Sequence, residues 1–275
     1  MNEADMGEKF CARYGLELVS VRPGAFGGSK YVAHVRDAMG RNFMLKQTTP
    51  ERGPMEVVAL RAWRGNKAAV QLVEEFENGA YITEFLEGTP VAELPSSSPI
   101  DFVAIGRMLR ALHRSAAPAD VPDVRDRFTT RAMEAWSELT PEMLELAQAA
   151  AARVRAYAPP NPVLLHGDVV PANIIATADG PRVIDPLPCS GLPAWDIAQF
   201  AVAASGRGRR DVIRPLLNGY GEKPPQLADM FAWMHFFFLR NNLVAGRHEF
   251  VRNLRPLADE LVRDPQEFSR GHGVV

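Results

Sequence analysis

Two runs near the start of the chain are rich in alternating apolar or β-branched residues, Tyr31-Val32-Ala33-His34-Val35 and Phe43-Met44-Leu45-Lys46, and 37–41 between them has the composition of a hairpin turn. A helix is predicted over 54–63. A second strand pair, 70–75 and 80–85, flanks the turn Glu77-Asn78-Gly79. Near residue 90 the texture changes: Gly88-Thr89-Pro90 and Leu94-Pro95-Ser96-Ser97-Ser98 read as a linker, and beyond it apolar positions recur at helical spacing. Ser98 is expected to cap, and Pro99 to open, a helix reaching Arg114, and Thr140-Pro141 opens another reaching Tyr157. Three short β-rich pieces at 163–165, 173–176 and 182–184 precede further helices from Ala194 onward. The expected fold class is α+β, with a small antiparallel sheet and one helix in residues 1–88 and a mainly helical part in residues 89–275.

With 275 residues, 47% of them hydrophobic, the chain has material for a sizeable core. Its 31 basic and 33 acidic side chains provide no basic footprint, so no nucleic-acid partner is expected. Cys11 and Cys189 lie far apart and outside any metal-ligand spacing, which makes them candidate buried thiols. The acidic start Met1-Asn2-Glu3-Ala4-Asp5 lacks a signal pattern, and the apolar run at 231–239 is short and broken by His235. No membrane association and a cytoplasmic location are expected; the oligomeric state is not legible.

The densest chemistry lies in His166-Gly167-Asp168-Val169-Val170-Pro171-Ala172-Asn173, with Asp185 twelve residues further on at the end of Val183-Ile184. Asp and Asn also serve in ordinary turns, where they satisfy backbone groups. This spacing suits phosphoryl transfer, which needs a carboxylate to take the proton of an attacking hydroxyl and hard oxygen ligands for Mg²⁺. Asp168 is the candidate catalytic base; Asn173 and Asp185 are the candidate metal ligands.

HGDVVPAN resembles the catalytic loop of aminoglycoside phosphotransferase-type kinases, a branch of the protein-kinase-like fold. Ile184-Asp185-Pro186 resembles the metal-binding motif in its streptomycin and hydroxyurea kinase form, and Pro193-Ala194-Trp195-Asp196-Ile197-Ala198 resembles the helix start that follows it. The resemblance spans roughly 20–205 and is most specific at 164–198. It implies a bilobal molecule that uses ATP and Mg²⁺ on a small-molecule hydroxyl acceptor, with Asp196 bracing the catalytic loop and His166 supporting it by hydrogen bonding.

An ATP site of this kind also needs a strand lysine for the phosphates and a helix glutamate to orient it. Lys46, one of five lysines against 26 arginines, ends an apolar strand and is the candidate; a solvated strand end is the plain alternative. Glu56 is the candidate partner, with Glu51 as rival. The glycine-rich stretch 23–30 contains Gly27, Gly28 and Ser29 as candidate phosphate contacts, although it matches neither GxGxxG nor GxxxxGK[ST]. Glu84, Phe85 and Leu86 stand where the resembling fold has the hinge that holds adenine.

Val169 and Val170 leave the loop without a lysine, and a helix begins only nine residues after Asp185, so a protein substrate is disfavoured. The family resemblance points to an aminoglycoside-type antibiotic as acceptor, and a sugar or amino alcohol of metabolism is the alternative. Residues 101–275 hold 20 acidic and 20 basic side chains, no general acidic field for a polycation. On a helix expected over 225–247, Asn241 and Asn242 are candidate acceptor contacts. A non-catalytic pseudokinase would have lost Lys46, Asp168, Asn173 or Asp185, and all four are present.

Overall fold

The computed structural model describes residues 10–23, 29–49, 52–76, 79–95, 97–128, 141–222, 224 and 226–254. Strands β1 (Glu17–Pro23), β2 (Ser29–Arg36), β3 (Asn42–Thr48), β4 (Leu72–Glu75) and β5 (Ala80–Glu84) form an antiparallel sheet in the order β1-β2-β3-β5-β4. Period-two alternation decides what each face holds. Ala33, Val35, Leu45 and Ile82 close over Cys11 on one face. Lys46 and Tyr81, one position out of phase, point to the other, where α1 (Arg52–Ala62) packs through Val57 and Leu60. The hairpin between β2 and β3 closes as expected, with Asp37 accepting the amides of Met39 and Arg41 at 2.9 Å each.

Beyond the sheet, β6 (Gly88–Pro90), β8 (Ile174–Thr177) and β9 (Gly180–Val183) form a three-stranded sheet, and β7 (Val163–Leu165) pairs with β10 (Cys189–Gly191). The segment between α1 and β4 is stitched to β9 at Val183, whose amide donates to the Ala68 carbonyl and whose carbonyl accepts from the Val70 amide. The helices include α2 (Phe102–Leu112), α3 (Pro141–Ala156), α4 (Ala194–Gly206), α5 (Ile213–Tyr220) and α6 (Leu227–Val244). Helix α4 is apolar nearly all round and buried along its length, as expected of a central helix. Helices α2 and α5 cross backbone to backbone: a Cβ on Gly106 would lie 2.1 Å from the Leu216 carbonyl oxygen, and one on Gly219 would lie 2.0 Å from that of Val103.

The expected start of α2 is corrected. Asp101, not Ser98, is the N-cap, its carboxylate accepting the Ala104 amide at 2.8 Å, and Ser98 closes a turn onto Pro95 instead. Ile100 alone separates Pro99 from the cap. Helix α6 runs over a shorter stretch than 225–247 because the chain turns at Ala245 and at Gly246, where φ is +67°. Both cysteines are buried free thiols. Among the described residues no helix is long and apolar enough to cross a membrane.

His235 on α6 is fully buried, and among the described residues neither ring nitrogen has a hydrogen-bond partner. Burial lowers its pKa from 6.5 to about 3. Between those values the unfolded chain binds a proton that the folded chain refuses, so stability falls as pH drops through that window. In urea unfolding, the wild type is expected to lose about 3 kcal/mol more than His235→Leu between pH 6.5 and pH 4; parallel pH profiles would show that the imidazole is not held neutral by the core.

Candidate active site

The catalytic-loop candidates gather around one buried carboxylate. Asp196, in the first turn of α4, is fully buried, and its oxygens accept the amides of His166 (2.8 Å) and Gly167 (2.9 Å). His113 Nε2 completes the set at 3.0 Å from Asp196 Oδ2, and the Tyr220 hydroxyl stands 3.2 Å from His113 Nδ1. Burial alone would raise the Asp196 carboxyl; the hydrogen bond and charge of His113, with the amide donors, outweigh it and hold the group below the usual range. One turn along the same face, Gln199 accepts the Val169 amide at 2.8 Å. Helix α4 therefore fixes the loop backbone on both sides of Asp168.

His166 is buried, and burial pushes its pKa down against the pull of Asp196 and the other nearby carboxylates. Its Nε2 donates to the Ile184 carbonyl at 2.8 Å, its Nδ1 accepts the Asp168 amide at 3.3 Å, and its ring stacks on Trp63. Both nitrogens are thus committed to backbone, one to the catalytic loop and one to the residue before Asp185. Asn173 Nδ2 donates to the Asp168 backbone carbonyl at 2.9 Å and to Asp168 Oδ2 at 3.0 Å, and among the described residues the amide oxygen of Asn173 has no hydrogen-bond partner.

Lys46 is almost completely buried, and its ammonium lies 2.8 Å from Glu56 and 2.9 Å from Asp185. Glu56 is fully buried and is also met by Arg52, at 2.5 Å and four residues earlier on α1, and by the Tyr81 hydroxyl. Burial and the Glu56 charge push the Tyr81 phenol far up, so it remains a donor. Asp185 adopts a left-handed backbone with φ +56°, an uncommon conformation for a residue other than Gly and one that clusters at functional sites. A carboxylate and an amide oxygen are the hard donors Mg²⁺ takes when phosphates and water complete its shell, so Asp185 and Asn173 fit that ion.

Lys46, Tyr81 and Asp185 border a cleft of about 370 Å³ that also takes in Thr83, Glu84, Phe85 and Leu86. The Glu84 carboxylate is engaged by Arg182 and by the Gln71 amide, so its side chain serves as a brace of the cleft wall. Gly27, Gly28 and the rival Glu51 lie outside the described residues; Ser29 is the first residue of β2. A second cavity of about 730 Å³ shares Pro171 with the catalytic loop and is lined by Val91, Ile100, Arg207, Arg247 and His248 among others. Asn242 is buried, donating to the Phe238 carbonyl at 2.8 Å, and neither it nor Asn241 lines that cavity.

Sequence reasoning passed over Tyr220, Gln199, Arg52 and Tyr81, and read His113 as a satisfied helix residue without naming its partners. The i,i+4 spacing of Arg52 and Glu56 and the i,i+3 spacing of Asp196 and Gln199 were usable signals. The His113–Asp196 contact joins residues 83 positions apart and had none.

The sequence model of the Phosphotransferase enzyme family (APH) matches residues 36–234. Among curated proteins, none matches the chain in sequence. Solved structures share the fold. The macrolide 2'-phosphotransferase MphH from Brachybacterium faecium is 19% identical with TM-score 0.63, the match covering 92% of this chain and 98% of that one. A choline/ethanolamine kinase family protein from Mesorhizobium loti is 16% identical with TM-score 0.68, covering 97% and 98%. A spectinomycin phosphotransferase in complex with ADP and spectinomycin is 12% identical with TM-score 0.64, covering 97% and 99%.

Replacing Asp196 by Asn turns one acceptor oxygen into a donor that faces N–H groups in a dry site. Asp196→Asn is expected to destabilise the protein by about 3 kcal/mol in urea unfolding; a change within about 0.5 kcal/mol, the range of ordinary surface substitutions, would remove the carboxylate from the centre of the loop.

Proposed function

Because the chain belongs to the phosphotransferase enzyme family, we propose that it transfers the γ-phosphoryl group of ATP, complexed with Mg²⁺, to a hydroxyl of a small molecule. The single observation that supports this most is the buried Lys46 ammonium held between Glu56 and Asp185, with the Asp185 segment tied through His166 to the loop that carries Asp168 and Asn173. The acceptor hydroxyl gives its proton to the Asp168 carboxylate as its oxygen bonds to the γ-phosphorus, and the bond to ADP breaks. Lys46 meets the phosphates of the nucleotide, while backbone groups of Glu84, Phe85 and Leu86 face adenine and Gly27, Gly28 and Ser29 cover the phosphates. Asn173 and Asp185 would hold Mg²⁺, which supplies positive charge against the transferring group. His166 and Asp196 position the loop. On this reading residues 1–88 form the nucleotide half and residues 89–275 the acceptor half.

For the acceptor, the similar structures, a macrolide phosphotransferase, a choline/ethanolamine kinase family protein and a spectinomycin phosphotransferase, span antibiotics and small alcohols. The family resemblance favours an aminoglycoside-type antibiotic and a role in resistance. One observation favours the metabolic reading: among the described residues the cavity beside Pro171 carries Arg207, Arg209, Arg247 and His248 against the single carboxylate of Glu249. A polycation is repelled there, whereas a sugar-like polyol is not. Asn241 and Asn242 have no direct part in this reading.

ADP release is to be measured with Mg-ATP and a panel of aminoglycosides, other hydroxylated antibiotics, sugars and amino alcohols. One compound class is expected to stimulate it, and Asp168→Ala is expected to lower kcat by a factor on the order of a thousand or more while ADP still binds. Near-normal turnover in Asp168→Ala would sink the catalytic assignment.

A further inference from the structure

Two arginines converge on the second cavity from separate helix ends. Arg207 is the residue that ends α4, and Arg247 follows the turn that ends α6, with its amide bonded to the Asn242 carbonyl at 2.9 Å. Each helix C-terminus favours a nearby cation, which accounts for one arginine apiece but not for their meeting over a shared hollow. The cavity floor is tightly built: a Cβ on Gly206 would lie 2.2 Å from the Phe250 ring, and Asn253 Nδ2 donates to the Gly206 carbonyl at 3.1 Å. Arg209 is committed to the wall, its guanidinium donating to the carbonyls of Leu94, Pro95 and Ser98.

Arg207 and Arg247 are placed differently. Among the described residues neither has a carboxylate within ion-pair distance, the Glu249 carboxylate included, and burial together with the charge of Arg247 lowers the pKa of Arg207. The side-chain contact found for Arg247 is with Asn242 Oδ1 at 3.5 Å, and Asn242 is itself fixed by its bond to Phe238. An unrelieved pair of planar guanidinium groups over a cavity of about 730 Å³ is suited to bidentate capture of an oxyanion. Because Pro171 of the catalytic loop lines the same hollow, a molecule bound there lies beside Asp168's loop.

We propose that Arg207 and Arg247 hold an oxyanion group of the acceptor, a phosphate or a carboxylate, in the cavity bounded by Pro171. The acceptor is then an anionic hydroxyl compound such as a sugar phosphate or a sugar acid, and Asn242 acts through Arg247 as a positioning residue. This rests on the kinase reading, since it names the substrate class of that site.

The test is calorimetric titration of the full chain with inorganic phosphate and, separately, acetate, each with Mg-ADP at saturation so that the nucleotide cleft is filled. Saturable binding of at least one anion is expected, with its dissociation constant raised about tenfold or more in the double variant Arg207→Gln/Arg247→Gln. Preference for phosphate points to a phosphorylated acceptor and preference for acetate to a carboxylic acid. Arg247→Gln alone, whose side chain is exposed, gives the same reading if the double variant fails to fold. Mg-ADP binding without saturable anion binding, or anion binding unchanged by the substitutions, overturns the anionic acceptor. Absence of Mg-ADP binding in the same titration overturns the kinase reading beneath it.

Discussion

A carboxylate sealed from water has to be surrounded by donors, and in this chain the Asp196 carboxylate determines where three other elements can go. Its oxygens hold the His166 and Gly167 amides, so the loop that carries Asp168 is attached to the most buried helix of the molecule. The same group draws in His113 at the end of α2, and His113 in turn meets Tyr220 at the end of α5. Helices α2 and α5 can approach this closely because Gly106 and Gly219 present bare backbone at the crossing. Backbone geometry at the candidate base is thereby coupled to the packing of the helical core, whose low compressibility resists drift of the loop.

The other half of the site follows from strand alternation and from one ion-pair relay. Leu45 faces the core of the sheet, so Lys46 must face the cleft, and a cation almost completely buried there requires nearby carboxylates. Glu56 supplies one from α1 and Asp185 the other from beyond β9, which ties the sheet to the helical region through a side chain as well as through the backbone contacts at Val183. Glu56 is itself over-determined by Arg52 and Tyr81, and that fixes the height of α1 above the sheet. His166 reaches the Ile184 carbonyl, one residue before Asp185, so the base-bearing loop and the candidate metal ligand are also tied together.

The elements legible in the sequence were those whose signals are local. The β2–β3 hairpin, the strand that ends near Lys46 and the helix beginning at Ala194 came from alternation, turn residues and motif spacing, and each appears within a few residues of its expected place. The start of α2 was misread because Ser98-Pro99 and Asp101 are both acceptable helix openings, and tertiary packing of Phe102 and Ile105 selected the later one. His113 was illegible for a different reason. Nothing about Ala111-Leu112-His113 indicates that its imidazole will meet a carboxylate 83 residues further on; only the fold makes them neighbours.

Acceptor chemistry is the least local of all. The cavity at Pro171 draws its lining from the segment after β6, the catalytic loop, the end of α4 and the chain beyond α6, so no window of sequence contains it. Over residues 101–275 the formal charges cancel, and that balance conceals the convergence of Arg207 and Arg247 on one hollow while carboxylates such as Asp229 and Asp123 are paired with other arginines elsewhere. A fold shared with kinases of macrolides, spectinomycin and small alcohols leaves the acceptor open, because fold carries reaction type further than it carries specificity. Specificity resides in the sign and placement of a few charges around the hydroxyl, and among the described residues the charged side chains that line the hollow beside the loop are three arginines against one carboxylate.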